Sequence, residues 1–133
     1  MSAIRILIVD DHAILRDGIR ALLERESQFE VIGEAADGRA ALELTRQRQP
    51  DIVLMDVAMP LLNGLEATAQ VLQCSPDSKV IILSMYDYES YIRQALAAGA
   101  AGYILKDATA DELIDAIRCV HKGEAVLSPA ITR

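Results

Sequence analysis

Short apolar runs alternate along this chain with stripes of helical period. Residues Ile4–Val9 are apolar except for Arg5, which suits a strand buried on both faces. Leu15, Ile19, Leu22 and Leu23 then recur on one helical face, with Arg16, Asp17, Arg20 and Glu24 opposite. Gly18 lies inside that helix at a cost of about 1 kcal/mol relative to alanine, which predicts close packing there. Phe29–Ala35 reads as a second strand, weakened by Gly33. Asp37 is the expected N-cap of a short helix whose apolar side is Ala40, Ala41 and Leu44 and which ends before Pro50. A third strand at 52–55 closes on Asp56, and a loop through Met59-Pro60 and Asn63-Gly64 leads into a helix reaching Cys74. Ser75-Pro76-Asp77 is a turn before a fourth strand, 80–83, which ends at Ser84. Residues 88–98 form a helix stopped by Gly99, and a fifth strand at 103–105 ends at Lys106. Thr109-Ala110-Asp111-Glu112 is a capping box. It opens a last helix with Leu113, Ile114, Ile117 and Val120 on one face, stopped by Gly123.

Five apolar strands separated by five helices predict an α/β fold with a parallel sheet covered by helices on both faces. For five strands the common order is 2-1-3-4-5. The chain has 133 residues, enough for one domain that buries roughly two-thirds of its unfolded surface without disulfides or a structural metal. Residues 1–122 are assigned to that domain, and 123–133 to the start of a linker. Hydrophobic residues make up 52% and charged residues 25%, which excludes a disordered chain. The net charge of -7 argues against direct binding to a phosphate backbone. No apolar run approaches the roughly 18 residues of a membrane span, and the acid pair at Asp10 comes too early for a signal peptide. Cys74 and Cys119 make no metal-binding spacing with His12 or His121, so they read as small thiols in a reducing cytoplasm.

The polar residues fall at strand ends: Asp10 and Asp11, Asp56, Ser84, and Lys106. A parallel sheet puts all of these at one edge, where such folds bind ligands. The 2-1-3 order makes strands one and three neighbours, so three carboxylates meet beside a hydroxyl and an ammonium. One like-charged pair at 4 Å costs on the order of 4 kcal/mol at an effective dielectric of 20, so the cluster must take up a proton or a cation. Mg²⁺, a hard ion that prefers oxygen, suits the set. A cation plus an ammonium around a carboxylate is the apparatus of phosphoryl transfer, with Asp56 as the nucleophile. His12 follows the acid pair, but as the residue beginning a helix it is expected to point away.

These same residues carry a family resemblance. Ile8-Val9-Asp10-Asp11-His12, Leu54-Met55-Asp56-Val57-Ala58-Met59-Pro60, Asn63-Gly64, Ser84 after Ile81-Ile82-Leu83, and Tyr103 followed by Lys106 resemble the receiver domains of two-component response regulators, of CheY-like (flavodoxin-like) fold. Leu15-Arg16 after Asp11-His12, the run from Ala95 to Tyr103, Lys106-Asp107 and Leu127-Ser128-Pro129 resemble the NarL/FixJ (LuxR-type) class. The resemblance implies that Asp56 is phosphorylated by a sensor histidine kinase or a small phosphodonor. Mg²⁺ or Mn²⁺ would be held by Asp11 and Asp56, by Asp10 through water, and by the backbone carbonyl of Ala58. Ser84 would bond the phosphoryl group, Lys106 would pair with it, and Tyr103 would turn inward as an aromatic switch. It further implies a cytoplasmic protein, a phosphorylation-dependent homodimer, and contact with DNA only through a C-terminal helix-turn-helix domain. Asp107 stands where many receivers have proline, and Ala58 offers no polar side chain to position water.

Two rival chemistries are disfavoured. A haloacid dehalogenase needs a second aspartate two residues after the nucleophile, where this chain has Ala58. A flavodoxin cradles phosphate in a Ser/Thr/Gly-rich loop after strand one, where this chain has Asp-Asp-His, which repels phosphate unless a cation intervenes.

Overall fold

The computed structural model describes residues 3–57, 63–86 and 88–127. The described elements are β1 (Ile4–Val9), α1 (Ala13–Glu24), β2 (Phe29–Ala35), α2 (Gly38–Arg48), β3 (Ile52–Asp56), α3 (Gly64–Cys74), β4 (Lys79–Ser84), α4 (Glu89–Ala97), β5 (Gly102–Leu105), α5 (Ala110–His121) and β6 (Val126–Leu127). The strands form one parallel sheet in the order β2-β1-β3-β4-β5-β6. The five-strand order is therefore as expected, with one short strand added at the β5 edge. That strand comes from the segment read as the beginning of a linker. Val126 and Leu127 pair with Gly102 and Tyr103 over only two residues, too short a run for periodicity to reveal.

The pleat sorts the strand residues into two cores. Ile6, Ile8, Ile52, Leu54, Ile81 and Ile104 pack with Ile19 and Leu23 of α1 and Ile114 and Ile117 of α5. Leu7, Val9, Val53, Met55, Val80 and Ile82 pack on the other face with Ala41 of α2, Val71 of α3 and Ala95 of α4. Burial on both faces is why these strands carry apolar residues at odd and even positions alike.

Helix ends follow the expected chemistry. Asp37 accepts from the Ala40 N–H, Asn63 accepts from the Glu66 N–H, and the Thr109/Glu112 capping box is complete. Gly99 and Gly123 adopt φ of 103° and 100°, the left-handed conformation glycine tolerates after a helix. In β2 the register slips by one residue, from Ile6↔Val31 to Leu7↔Gly33. The skipped residue, Ile32, gives its carbonyl to the Arg48 guanidinium. Gly18 is a correction: nothing lies within 4 Å of where its Cβ would stand. It lines an open apolar groove of about 540 Å³ between α1 and α5, beside the largely exposed Ile14.

Candidate functional site

Strand register assembles the strand-end residues. Val9 pairs with Met55, so Asp10 leaves β1 beside the Asp56 end of β3. Asp56 pairs with Leu83, and Ser84 with Leu105, which sets Ser84 and Lys106 one step farther along the same edge. The Lys106 N–H donates to the Ser84 carbonyl at 2.7 Å. Asp10, Asp56 and Ser84 are 2%, 3% and 1% exposed, while Asp11 is exposed.

Lys106 bridges two of the acids, its Nζ standing 3.0 Å from Asp10 Oδ2 and 3.0 Å from Asp56 Oδ1. Neither acid of the pair caps α1. Instead Asp10 Oδ1 accepts from the His12 N–H at 2.8 Å, and the Asp10 carbonyl accepts from Arg16 Nη1 at 2.5 Å. The β1–α1 turn is thereby held from both sides. Burial pushes the Asp10 carboxyl up, but the His12 N–H, the Lys106 ammonium and the His12 ring together hold it below the ordinary carboxylate range. For Asp56 burial prevails: its carboxyl is raised, with Lys106 opposing and the Asp10 and Asp11 charges adding to the rise. Burial lowers the Lys106 ammonium, and hydrogen bonds to Asp10 and Asp56 raise it further than that, leaving it above its ordinary value.

Asp56 Oδ2 is buried and has no hydrogen-bond partner. Ligand atoms of Asp10, Asp11, His12 and Asp56 all lie within 4.8 Å of one another. Three carboxylates against one ammonium, with a buried oxygen unsatisfied, fit a hard divalent cation. The Ala58 carbonyl, the remaining expected ligand, lies outside the described residues, as do Met59, Pro60, Ser128 and Pro129.

The loop after Asp56 returns tightly. The Gly64 N–H donates to the Val57 carbonyl at 2.9 Å, and a Cβ on Gly64 would stand 1.9 Å from the Asp56 carbonyl oxygen. The Asn63-Gly64 pair therefore combines a helix cap with the only residue that fits against the strand end.

His12 does not point away, contrary to expectation. As the residue before α1 it has extended backbone, φ -96° and ψ 104°, and its side chain is free of the helix. Its Nδ1 stands 2.9 Å from Asp10 Oδ1 and 3.1 Å from Asp11 Oδ1. Tyr103 is already turned inward and is 0% exposed. Its hydroxyl donates to the Tyr86 carbonyl at 2.7 Å, while Ser84 Oγ accepts from the Tyr86 N–H at 2.9 Å. Tyr86 was not legible in the sequence because it acts through its backbone N–H and carbonyl, which side-chain patterning does not mark. The peptide bonds of the described residues, including that after Lys106, are trans.

A parallel sheet flanked by five helices, with acids, a hydroxyl and an ammonium gathered at one strand edge, is the architecture of a receiver domain. The chain belongs to the response regulator receiver domain family, which it matches over residues 6–118. It is 45% identical over 131 residues to the transcriptional regulatory protein DegU of Brevibacillus brevis, covering 98% of this chain and 56% of that one. To the oxygen regulatory protein NreC of Staphylococcus carnosus it is 43% identical, over 96% of this chain and 59% of that one. Among solved structures, a LuxR-family response regulator from Aurantimonas sp. SI85-9A1 superposes with a TM-score of 0.94 at 39% identity, covering 98% of this chain and 94% of that one. The receiver domain of a NarL regulator from Mycobacterium tuberculosis gives 0.89 at 36%, covering 93% of this chain and 100% of that one. The chain is a CheY-like receiver of the LuxR-family type, and it spans little more than half the length of the curated relatives it matches. Among the described residues no helix is long and apolar enough to cross a membrane.

Proposed function

We propose that Asp56 is the phosphoacceptor, that Asp10, Asp11 and Asp56 with the Ala58 carbonyl hold Mg²⁺ or Mn²⁺, that a sensor histidine kinase is the donor, and that this protein works in the cytoplasm. The observation that carries this reading is the Asp56 carboxylate: buried, one oxygen on Lys106, the other without a partner beside two further acids. With the unpartnered Oδ2 turned to the cation, the lone pair that attacks phosphorus comes from Oδ1, which Lys106 holds at 3.0 Å. An O–P bond forms as the bond from phosphorus to the donor's imidazole nitrogen, or to the oxygen of a small acyl phosphate, breaks with its electron pair leaving on the donor. Lys106 is placed to offset negative charge gathering on the phosphoryl oxygens, and it leaves Asp56 to do so while keeping Asp10. When bound, the divalent cation neutralises the carboxylates and the phosphoryl oxygens together. The chain would promote its own phosphorylation and dephosphorylation and turn over no separate substrate.

The readout would pass through Tyr86. Ser84 and Tyr103 grip the two sides of this one residue's backbone. A Ser84 hydroxyl drawn to the phosphoryl group would release the Tyr86 N–H and loosen the anchor of Tyr103. Because Tyr103 is already inward, the signal would be a rearrangement of residues 85–103 and not an inward swing. A homodimer and a LuxR-type DNA-binding output region would read that surface.

Intact-mass measurement with acetyl phosphate tests the reading. One phosphoryl group should be gained with Mg²⁺, none in excess chelator, and none in Asp56→Asn. In Ser84→Ala the mass gain should survive, while beryllofluoride-induced NMR shifts across residues 85–103 shrink. Labelling that persists in Asp56→Asn or in chelator overturns the proposal.

A further inference from the structure

The placement of His12 is more than a helix start requires. Its ring nitrogen Nδ1 faces two carboxylate oxygens at once, 2.9 Å from Asp10 and 3.1 Å from Asp11. A ring nitrogen carries at most one proton, so one N–H serves one of these acceptors well and leaves the other short. The hydrogen bond goes to Asp10. Asp11 is then held close to a nitrogen that has no second proton to give.

Those spacings match another arrangement. Metal–ligand bonds of about 2.1 Å at right angles put neighbouring ligand atoms about 3.0 Å apart. His12 Nδ1 lies at that separation from Asp10 Oδ1 and from Asp11 Oδ1, and an Asp56 oxygen lies within 4.8 Å of all three residues' ligand atoms. Asp56 also contributes a buried oxygen with no partner. The set is thus three oxygens and one imidazole nitrogen, all within 4.8 Å of one another, from the ends of β1 and β3 and the first residue before α1.

We propose that His12 Nδ1 is a further ligand of the divalent-cation site, which makes the site selective for ions that accept imidazole nitrogen, of the Co²⁺, Ni²⁺ and Zn²⁺ class, over Mg²⁺. This rests on the reading of the acidic cluster as a cation site. Imidazole suits these borderline ions and adds little for Mg²⁺, which keeps to oxygen donors and water. The nitrogen coordinates through its lone pair, so the remaining ring proton sits on Nε2. The His12 side chain is 65% exposed, so that N–H finds its partner in solvent. Short extended backbone before α1 lets the ring take up this position without disturbing a helical hydrogen bond.

The test is isothermal titration of the 133-residue chain with Co²⁺ alone and with Mg²⁺ alone, for wild type, His12→Gln, His121→Gln and Asp56→Asn. Proton NMR of the Co²⁺ form in water supplies a second readout: the Nε2–H of a coordinated imidazole is displaced far outside the usual range. His12→Gln should weaken Co²⁺ by at least about tenfold while Mg²⁺ changes by less than about threefold. The displaced N–H signal should vanish in His12→Gln and remain in His121→Gln. Equal weakening of both ions in His12→Gln overturns the proposal, because His12 then acts only by holding the Asp10 carboxylate. A wild-type Co²⁺ form without a displaced imidazole N–H overturns it as well. If Asp56→Asn binds both ions as tightly as wild type, the cation-site reading itself fails, and the inference with it.

Discussion

At the scale of single residues, the site is a charge problem solved in part by the protein. Lys106 joins Asp10 and Asp56, yet it supplies one positive charge against three negative ones, and one Asp56 oxygen is left without a donor. The raised Asp56 carboxyl expresses the same imbalance. A buried acid whose pKa is raised on folding costs stability above that pKa and none well below it. Replacing it with a neutral amide should therefore stabilise the protein at neutral pH. Asp56→Asn is expected to raise the melting temperature by a few degrees at pH 7 without added metal, on the order of 1 kcal/mol, with the gain fading at low pH. A lower melting temperature at pH 7 would show that Lys106 compensates Asp56 in full. The acids, Ser84 and Lys106 were legible because each ends an apolar run. The orientation of His12 was not, because a residue before a helix has free side-chain torsions and only tertiary neighbours decide where it turns.

At the scale of elements, the same residue type has opposite meanings in two helices. Gly64 begins α3 with its Cα against the Asp56 carbonyl, and an added Cβ would stand 1.9 Å from that oxygen. Gly18 lies within α1 with open space where a Cβ would go. Gly64→Ala should destabilise by about 1–3 kcal/mol or more and reduce phosphorylation, since the end of β3 must shift. Gly18→Ala should stabilise by up to about 1 kcal/mol and leave phosphorylation unchanged. Thermal melts with the mass assay check both, and a neutral Gly64→Ala would contradict the close approach. Sequence periodicity located both helices but could not tell these glycines apart, because the difference lies in what stands opposite them. The join between α1 and β2 gives a pH signature. Arg20 Nη1 stands 2.6 Å and Arg16 Nε 3.1 Å from the Glu34 carboxylate, and Arg20 above all holds that carboxyl below its ordinary range. Its contribution is present above the unfolded value of about 4.3 and is lost as pH falls through the lower folded value. Glu34→Gln should thus melt below wild type at pH 7, by about 0.5–1 kcal/mol for so accessible a network, and level with it near pH 2. Equal melting at pH 7 would show that the network contributes nothing.

At the scale of the whole molecule, the parallel sheet was legible because burial on both faces keeps most strand positions apolar, Arg5 of β1 and Glu30 and Glu34 of the edge strand β2 being exceptions, and chain order then restricts strand order. The β2 slip at Ile32 and the strand Val126–Leu127 were not legible, since each depends on pairing and not on pattern. The strand order brings Asp10 beside Asp56, and register brings Ser84 and Lys106 to the same edge. The proposed function requires this edge to direct phosphoryl transfer to one residue, Asp56. Borohydride trapping tests it most directly. An aspartyl phosphate is reduced by borohydride to homoserine, whereas unmodified carboxylates are untouched. After reaction with acetyl phosphate and Mg²⁺, homoserine is expected at position 56 and at no other aspartate. Homoserine at position 10 or 11, or none anywhere in chain that has gained a phosphoryl group, would contradict it.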